Sequence, residues 1–300
     1  MEKKKKRWGD RNDGTRVRGL DAMHVFMPYL LPCRADNEAF ISEKIDLTAV
    51  NAFLEEKNAQ NPDYKYTIFH VLTAALAKTI YQRPKLNRFV AGRRLYQRDE
   101  LLMAFVAKKI FSDEGEEALL LVNCDENTTI DSLHDTICRR VSKTRKEGEV
   151  DDTTKIMNIL ARFPRFVLRF IVWLLNVLEY YGRLPAFLRY ADPYHATVFI
   201  SNLGSIKLNA AYHHLTNWGT NSLFVVVGEK HMETVTEADG TTRTAEMLPL
   251  GITLDERIAD GYYYAKSIKL LKYLLANPAL LDLPAGEITE YEEKKEKAII

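Results

Sequence analysis

Ala196-Thr197-Val198-Phe199-Ile200-Ser201-Asn202-Leu203-Gly204 starts as a β-branched and aromatic run and closes on a polar turn ending in glycine. Such a run reads as a buried strand. Ser222-Leu223-Phe224-Val225-Val226-Val227 is a second run of the same kind. Further on, 235–239 and 241–254 flank the turn pair Asp239-Gly240 and read as a hairpin. The segment Leu254-Asp255-Glu256-Arg257-Ile258-Ala259-Asp260-Gly261 then leads into a helix over about 262–276, which stops before Asn277-Pro278.

Upstream, the signals alternate. Residues 38–46 alternate apolar and polar and predict a strand, and Thr48 is placed to cap a helix carrying Val50, Phe53 and Leu54. A helix over 67–82 puts Phe69, Leu72, Leu76 and Ile80 on one face and ends at Pro84. Strands are expected at 101–108 and 117–124, and an amphipathic helix at 129–146. The sum is an α/β (α+β) two-layer sandwich: a mixed β-sheet with helices packed on one face. With no repeat and no Pro/Gly-rich break, 15–283 reads as a single domain between a disordered, solvated basic arm at 1–14 and a charged tail at 284–300.

Composition narrows the function classes. The chain is 46% hydrophobic and 28% charged with net charge +1, so nothing global points to nucleic acid. Three scattered cysteines and no apolar leader fit a reduced, cytoplasmic setting. The stretch from Arg165 to Leu178, in an apolar segment of about 155–190, is too short and too interrupted by Arg169 to span a bilayer. Phe166, Ile171, Trp173, Leu174 and Leu178 are expected to be mostly buried against the core or a neighbouring subunit. The alternatives are a membrane-surface helix flanked by Arg162, Arg165, Arg169 and Arg183, or a lid over an acyl tunnel.

The motif Phe199-Ile200-Ser201-Asn202-Leu203-Gly204 resembles the F-T-I-S-N-L-G strand and turn of the acyltransferase core of 2-oxo acid dehydrogenase complexes. Asp255-Glu256-Arg257-Ile258-Ala259-Asp260-Gly261 stands where that family has D-H-R-x-x-D-G and where chloramphenicol acetyltransferases have H-H-x-x-x-D-G. The likeness continues through 270–278, like L-K-x-L-L-E-N-P, and includes Leu31-Pro32-Cys33, Ile45-Asp46-Leu47-Thr48 and Pro84-Lys85-Leu86-Asn87. It covers roughly 16–283. It implies a chloramphenicol acetyltransferase-like fold, a homotrimer, and a tunnel at each subunit interface. Coenzyme A would enter one end and a small acyl acceptor bearing a thiol, hydroxyl or amine the other. With only about fifteen residues upstream of the core, no lipoyl-bearing segment is expected.

The resemblance also assigns roles. Ser201 matches the hydroxyl that hydrogen-bonds the developing oxyanion, a contribution of about 3–4 kcal/mol in well-measured cases. Asp260 matches the aspartate that pairs with an arginine to hold the loop, and Arg16 and Arg18 are the candidate partners. Glu256 replaces the histidine that takes a proton from the nucleophile. A carboxylate near ~4.3 is a poor base for a thiol near ~8.5 unless burial and neighbouring acids raise it, and pairing with Arg257 would oppose that. His213 and His214, in Tyr212-His213-His214-Leu215-Thr216-Asn217-Trp218-Gly219, are the alternative base. They show neither H-x-x-x-H nor H-E-x-x-H spacing, so no metal is expected. The rival to an enzyme is a catalytically silent trimeric scaffold that retains the fold.

Overall fold

The structure is a computed structural model that describes residues 6–108, 117–144, 158–237 and 239–290. In chain order its strands are β1 (Gly14–Arg16), β2 (Glu38–Asp46), β3 (Arg88–Ala91), β4 (Arg94–Arg98), β5 (Leu101–Lys108), β6 (Glu117–Cys124), β7 (Val198–Asn202), β8 (Leu223–Val227), β9 (His231–Thr236) and β10 (Thr242–Asp255). The helices are α1 (Ala22–Leu30), α2 (Thr48–Ala59), α3 (Ile68–Gln82), α4 (Ile130–Thr144), α5 (Arg165–Tyr180), α6 (Ala186–Ala191) and α7 (Gly261–Ala276). The main sheet runs β2-β10-β8-β7-β5-β6, with β9 on the free half of β10. The β5–β7 and β7–β8 pairs are parallel and the other pairs antiparallel. The mixed sheet expected from the sequence is therefore present.

Strand alternation sets the two faces. Leu101, Met103, Phe105, Val198, Ile200, Leu223, Val225, Leu250, Ile252 and Leu254 meet α2, α3, α4 and α7 in the main core. The intervening residues Leu102, Ala104, Phe199, Phe224 and Val226 form a second, smaller core with Ala196 and Leu215. Phe199 and Phe224 stack there at 4.9 Å. Helices thus cover one face, and the irregular segment between β7 and β8 covers the other.

Four expectations change. The arm is not wholly solvated: Arg11 and Asp13 are buried, and Gly14–Arg16 pairs with β4 in a small sheet ordered β1-β4-β3. Residues 1–5 lie outside the described residues. The tail begins inside the fold, because Lys78 Nζ donates to the carbonyls of Leu283 (3.3 Å) and Pro284 (3.0 Å) and Ala285 is buried. Residues 291–300 lie outside the described residues. At α2, Thr48 is the first helical residue, and its amide and hydroxyl are held by Asp46 Oδ1 at 2.8 and 2.6 Å.

The fourth change concerns α5: of the two burials expected, against the core or a neighbour, the core does not supply the first for its aromatic residues. Phe166 is 74%, Phe170 60% and Trp173 59% exposed, while Ile171 and Leu178 are half-buried. Only the C-terminal end of the helix is locked in. Arg11 donates to the Glu179 carboxylate (2.8 Å) and to its carbonyl (2.6 Å), and His195 Nε2 meets the other carboxylate oxygen at 3.2 Å. No described helix is long and apolar enough to cross a membrane.

Candidate active site

The 255–261 loop is built by a buried ion pair. Asp255 is fully buried, and Arg257 reaches it through Nε (2.8 Å) and Nη2 (2.7 Å), a bidentate charge-assisted pair. Arg34 Nε adds charge at 3.6 Å. Arg257 Nη1 also donates to the carbonyls of Leu31 and Pro32, each at 3.1 Å, and Tyr264 Oη donates to the Asp255 carbonyl at 2.7 Å. With its neighbours turned inward, Glu256 is left exposed, its amide donating to the Asn37 carbonyl at 2.9 Å. The pairing of Arg257 with Glu256, the case against a raised carboxylate, is not formed, because Asp255 takes the guanidinium. Glu256 lines a groove of about 700 Å³ between β2 and α7, with Ala39, Ile41, Tyr264, Ile268 and Lys272.

Asp260 caps α7, accepting from the Tyr263 amide at 2.8 Å, a bond that holds its carboxyl below the ordinary value. Neither Arg16 nor Arg18 is its partner: Arg18 Nη2 binds Asp10 at 3.1 Å, and the Arg16 amide donates to the same carboxylate. The first turn of a helix supplies an amide for a carboxylate directly, so Asp260 is fixed without a guanidinium.

Ser201 sits half-buried on β7, in register with Val226 of β8, which in turn faces Gly251 of β10. Alternation puts its side chain on the Phe199 face, away from the helices. Glu256, the first residue past β10, lies five residues beyond Gly251 and two strands across, about 17 Å along the strands and about 10 Å sideways. One chain cannot bring these two residues to one reacting atom.

His213 and His214 share the sheet face of Ser201 and stand between the rows of Ser201 and Glu256. The His213 ring stacks on Phe224 at 4.1 Å and on His214 at 4.6 Å, and His213 Nδ1 lies 2.9 Å from the His214 carbonyl. Glycine lets the chain carrying them lie flat on the sheet: a Cβ at Gly251 would be 2.3 Å from the Ala211 carbonyl oxygen, and one at Gly228 would be 2.2 Å from the Ala210 nitrogen. The segment is pinned further by Glu38, which accepts from the Leu215 amide, and by Arg34, which donates to the Thr216 carbonyl at 2.7 Å.

Two buried clusters escaped the sequence reading. Beneath α5, Asp192 and Glu179 bracket His195 at 3.1 and 3.2 Å, and Asp192 also accepts from the indole of Trp218. Burial alone would depress the imidazole, but the hydrogen bonds and charges of Asp192 and Glu179 outweigh it and raise it above 6.5. The second cluster joins His70, His134 and Cys138, whose ligand atoms lie within 4.8 Å of one another. The i, i+4 spacing of His134 and Cys138 was its signal. His134 Nε2 faces the Tyr64 carbonyl at 2.9 Å and so carries a proton. His70 Nδ1 accepts from the Thr67 amide at 3.1 Å, which leaves its proton on Nε2, toward Cys138 Sγ at 3.9 Å. Burial and the nearby His134 push His70 down to about 4. The three groups thus satisfy one another and the backbone, and a cation would have to break the His134–Tyr64 bond.

The sheet order, the covered second face and the motif-bearing loop together define the fold of the 2-oxo acid dehydrogenase acyltransferase cores. Residues 187–283 match the family described as 2-oxoacid dehydrogenases acyltransferase (catalytic domain), so the resemblance read from the motifs stands over that third of the chain. No curated protein matches by sequence. Among solved structures, the cubic core of a pyruvate dehydrogenase multienzyme complex is 18% identical, with a TM-score of 0.59, covering 89% of this chain and 94% of that one. The Azotobacter vinelandii dihydrolipoamide acetyltransferase is 18% identical, with a TM-score of 0.58 and the same coverage. A truncated catalytic core from the Thermoplasma acidophilum 2-oxoacid dehydrogenase complex is 14% identical, with a TM-score of 0.54, covering 87% and 98%. At these identities the likeness is one of fold.

Proposed function

We propose that the protein is an acyl-coenzyme A-dependent acyltransferase whose site forms between neighbouring copies of a homotrimer. The observation that carries this reading is the separation of Glu256 from Ser201 within one chain, while the flanking Asp255–Arg257 pair leaves Glu256 turned outward. One copy supplies Glu256 and the next supplies Ser201. The Glu256 carboxylate takes the proton of the acceptor's thiol, hydroxyl or amine as the heteroatom attacks the thioester carbonyl. The carbonyl π-pair moves onto oxygen, and the Ser201 hydroxyl donates to that oxyanion. Collapse re-forms the carbonyl, breaks the C–S bond and returns the proton from Glu256 to the departing coenzyme A thiolate. Asp260 and the Asp255–Arg257 pair position the loop.

Transfer from a thiol near ~8.5 to an ordinary carboxylate near ~4.3 is uphill by about 6 kcal/mol, so closure of the interface over Glu256 has to offset part of that. His213 and His214 are the competing base, since they share the sheet face of Ser201. Release of free thiol from acyl-coenzyme A of graded chain length, with amine, alcohol and thiol acceptors, tests the reading. Glu256→Gln is expected to lower turnover by about 10²–10⁴-fold with the fold intact. If His213→Gln or His214→Gln abolishes turnover while Glu256→Gln is neutral, the base is on the Ser201 side. No thiol release with any acceptor would favour the silent scaffold.

A further inference from the structure

Helix α5 has three faces. Val167, Leu168, Ile171, Leu175 and Leu178 are half-buried and Glu179 is buried, so these point toward the body of the protein. The opposite stripe carries Phe166, Phe170, Trp173 and Leu174, all exposed, with the Phe170 and Trp173 rings 5.8 Å apart. Beside the stripe stand exposed Arg165 and Arg169, with exposed Arg162 and Arg183 beyond the two ends. The only acid on the helix is the buried Glu179, held by Arg11 and His195.

We infer that α5 seats the protein on an anionic lipid surface, its aromatic stripe in the headgroup–acyl boundary and its arginines against lipid phosphates or carboxylates. Charge complementarity decides this occupant. An acid-free cationic flank beside an aromatic stripe matches an anionic bilayer surface. A neighbouring copy in the proposed trimer is the rival occupant, and the oligomeric mass of the stripe variant tests it. At 16 residues the helix is about 24 Å long, short of the ~30 Å hydrocarbon core, so it lies along the surface. The anchor at Glu179 tethers it to the fold, and the stripe alone is offered to lipid. This docking does not depend on acyl transfer.

The experiment is co-sedimentation of the full chain with phosphatidylcholine vesicles, with and without about 30% phosphatidylglycerol. Binding is expected to be at least about tenfold tighter with the anionic lipid and to weaken in 0.5 M salt, as each basic residue near the surface adds roughly a fivefold factor. Phe170→Glu with Leu174→Glu should abolish binding at unchanged circular dichroism and oligomeric mass. Arg165→Glu with Arg169→Glu touches only exposed charges, and it should remove the preference for the anionic vesicles. In a Trp8→Phe background, brominated lipid should quench the part of the emission that Trp173→Phe removes and spare that of half-buried Trp218. Three results would overturn the inference: binding indifferent to both double variants, no vesicle binding by the parent with the oligomeric mass of Phe170→Glu/Leu174→Glu unchanged, or no vesicle binding by the parent with that mass reduced. The last would assign the stripe to another copy of the chain.

Discussion

Replacing Arg257 by leucine removes the guanidinium that holds Asp255 in place. The carboxylate is fully buried and takes two charge-assisted bonds from Arg257, at 2.8 and 2.7 Å. After the change it keeps the residue-257 amide at 3.1 Å and Arg34 at 3.6 Å, while the Leu31 and Pro32 carbonyls each lose a donor. Removing one partner of a buried pair strands the other charge, at a cost of about 3–5 kcal/mol. With a urea dependence of about 3 kcal/mol per molar, the unfolding midpoint should fall by about 1–1.7 M at fixed protein concentration. Adding Asp255→Asn to the same chain removes the stranded charge, so the double variant should be more stable than Arg257→Leu alone, with a coupling of about 1–3 kcal/mol. A loss below about 1 kcal/mol in the single variant, or strict additivity in the double, would refute the idea that this pair builds the loop.

Two further variants probe what surrounds the site. His195 has its pKa raised in the fold, so its contribution is fully present below about 6.5 and is lost as pH rises through the folded value. The urea midpoint of the parent should therefore exceed that of His195→Gln by more at pH 6 than at pH 8.5, and an equal gap at both would contradict the Asp192–His195–Glu179 assignment. Gly251→Ala would place a Cβ 2.3 Å from the Ala211 carbonyl oxygen, a backbone clash that should cost more than about 2 kcal/mol in chemical denaturation and loosen the His213–His214 segment. A neutral effect there would mean that the segment does not lie on the sheet as described.

The sheet was legible because its edge strand, 38–46, alternates apolar and polar residues, while its inner strands are short β-branched and aromatic runs, buried on both faces. The small β1-β4-β3 sheet was not, because Gly14–Arg16 and Arg94–Arg98 are short and charged and their pattern says nothing of burial. A buried Arg11 in a lysine-rich arm was equally hidden, since its partner Glu179 lies 168 residues away. The apolar composition of α5 suggested burial, but one chain leaves its aromatic stripe bare. At the motif, local sequence could not say which acid Arg257 would take. The end of the strand decides it: Asp255 follows Gly251 and Thr253 onto the face covered by the 203–222 segment, β10 stops there, and Glu256 is left exposed on the turn. The family resemblance linked Ser201 and Glu256 through a site at a subunit interface, and the strand register places them too far apart within one chain to meet.

The central claim, a site shared between copies with Glu256 from one and Ser201 from the next, is tested most directly by subunit mixing. Ser201→Ala and Glu256→Gln chains, each expected to be near-inactive alone, are unfolded together, refolded at equal amounts and assayed for thiol release from acyl-coenzyme A. Random trimers place an intact Glu256 against an intact Ser201 at about a quarter of their interfaces. The account predicts recovery of about one quarter of the parent activity, and a mixture no more active than the two variants apart would contradict it.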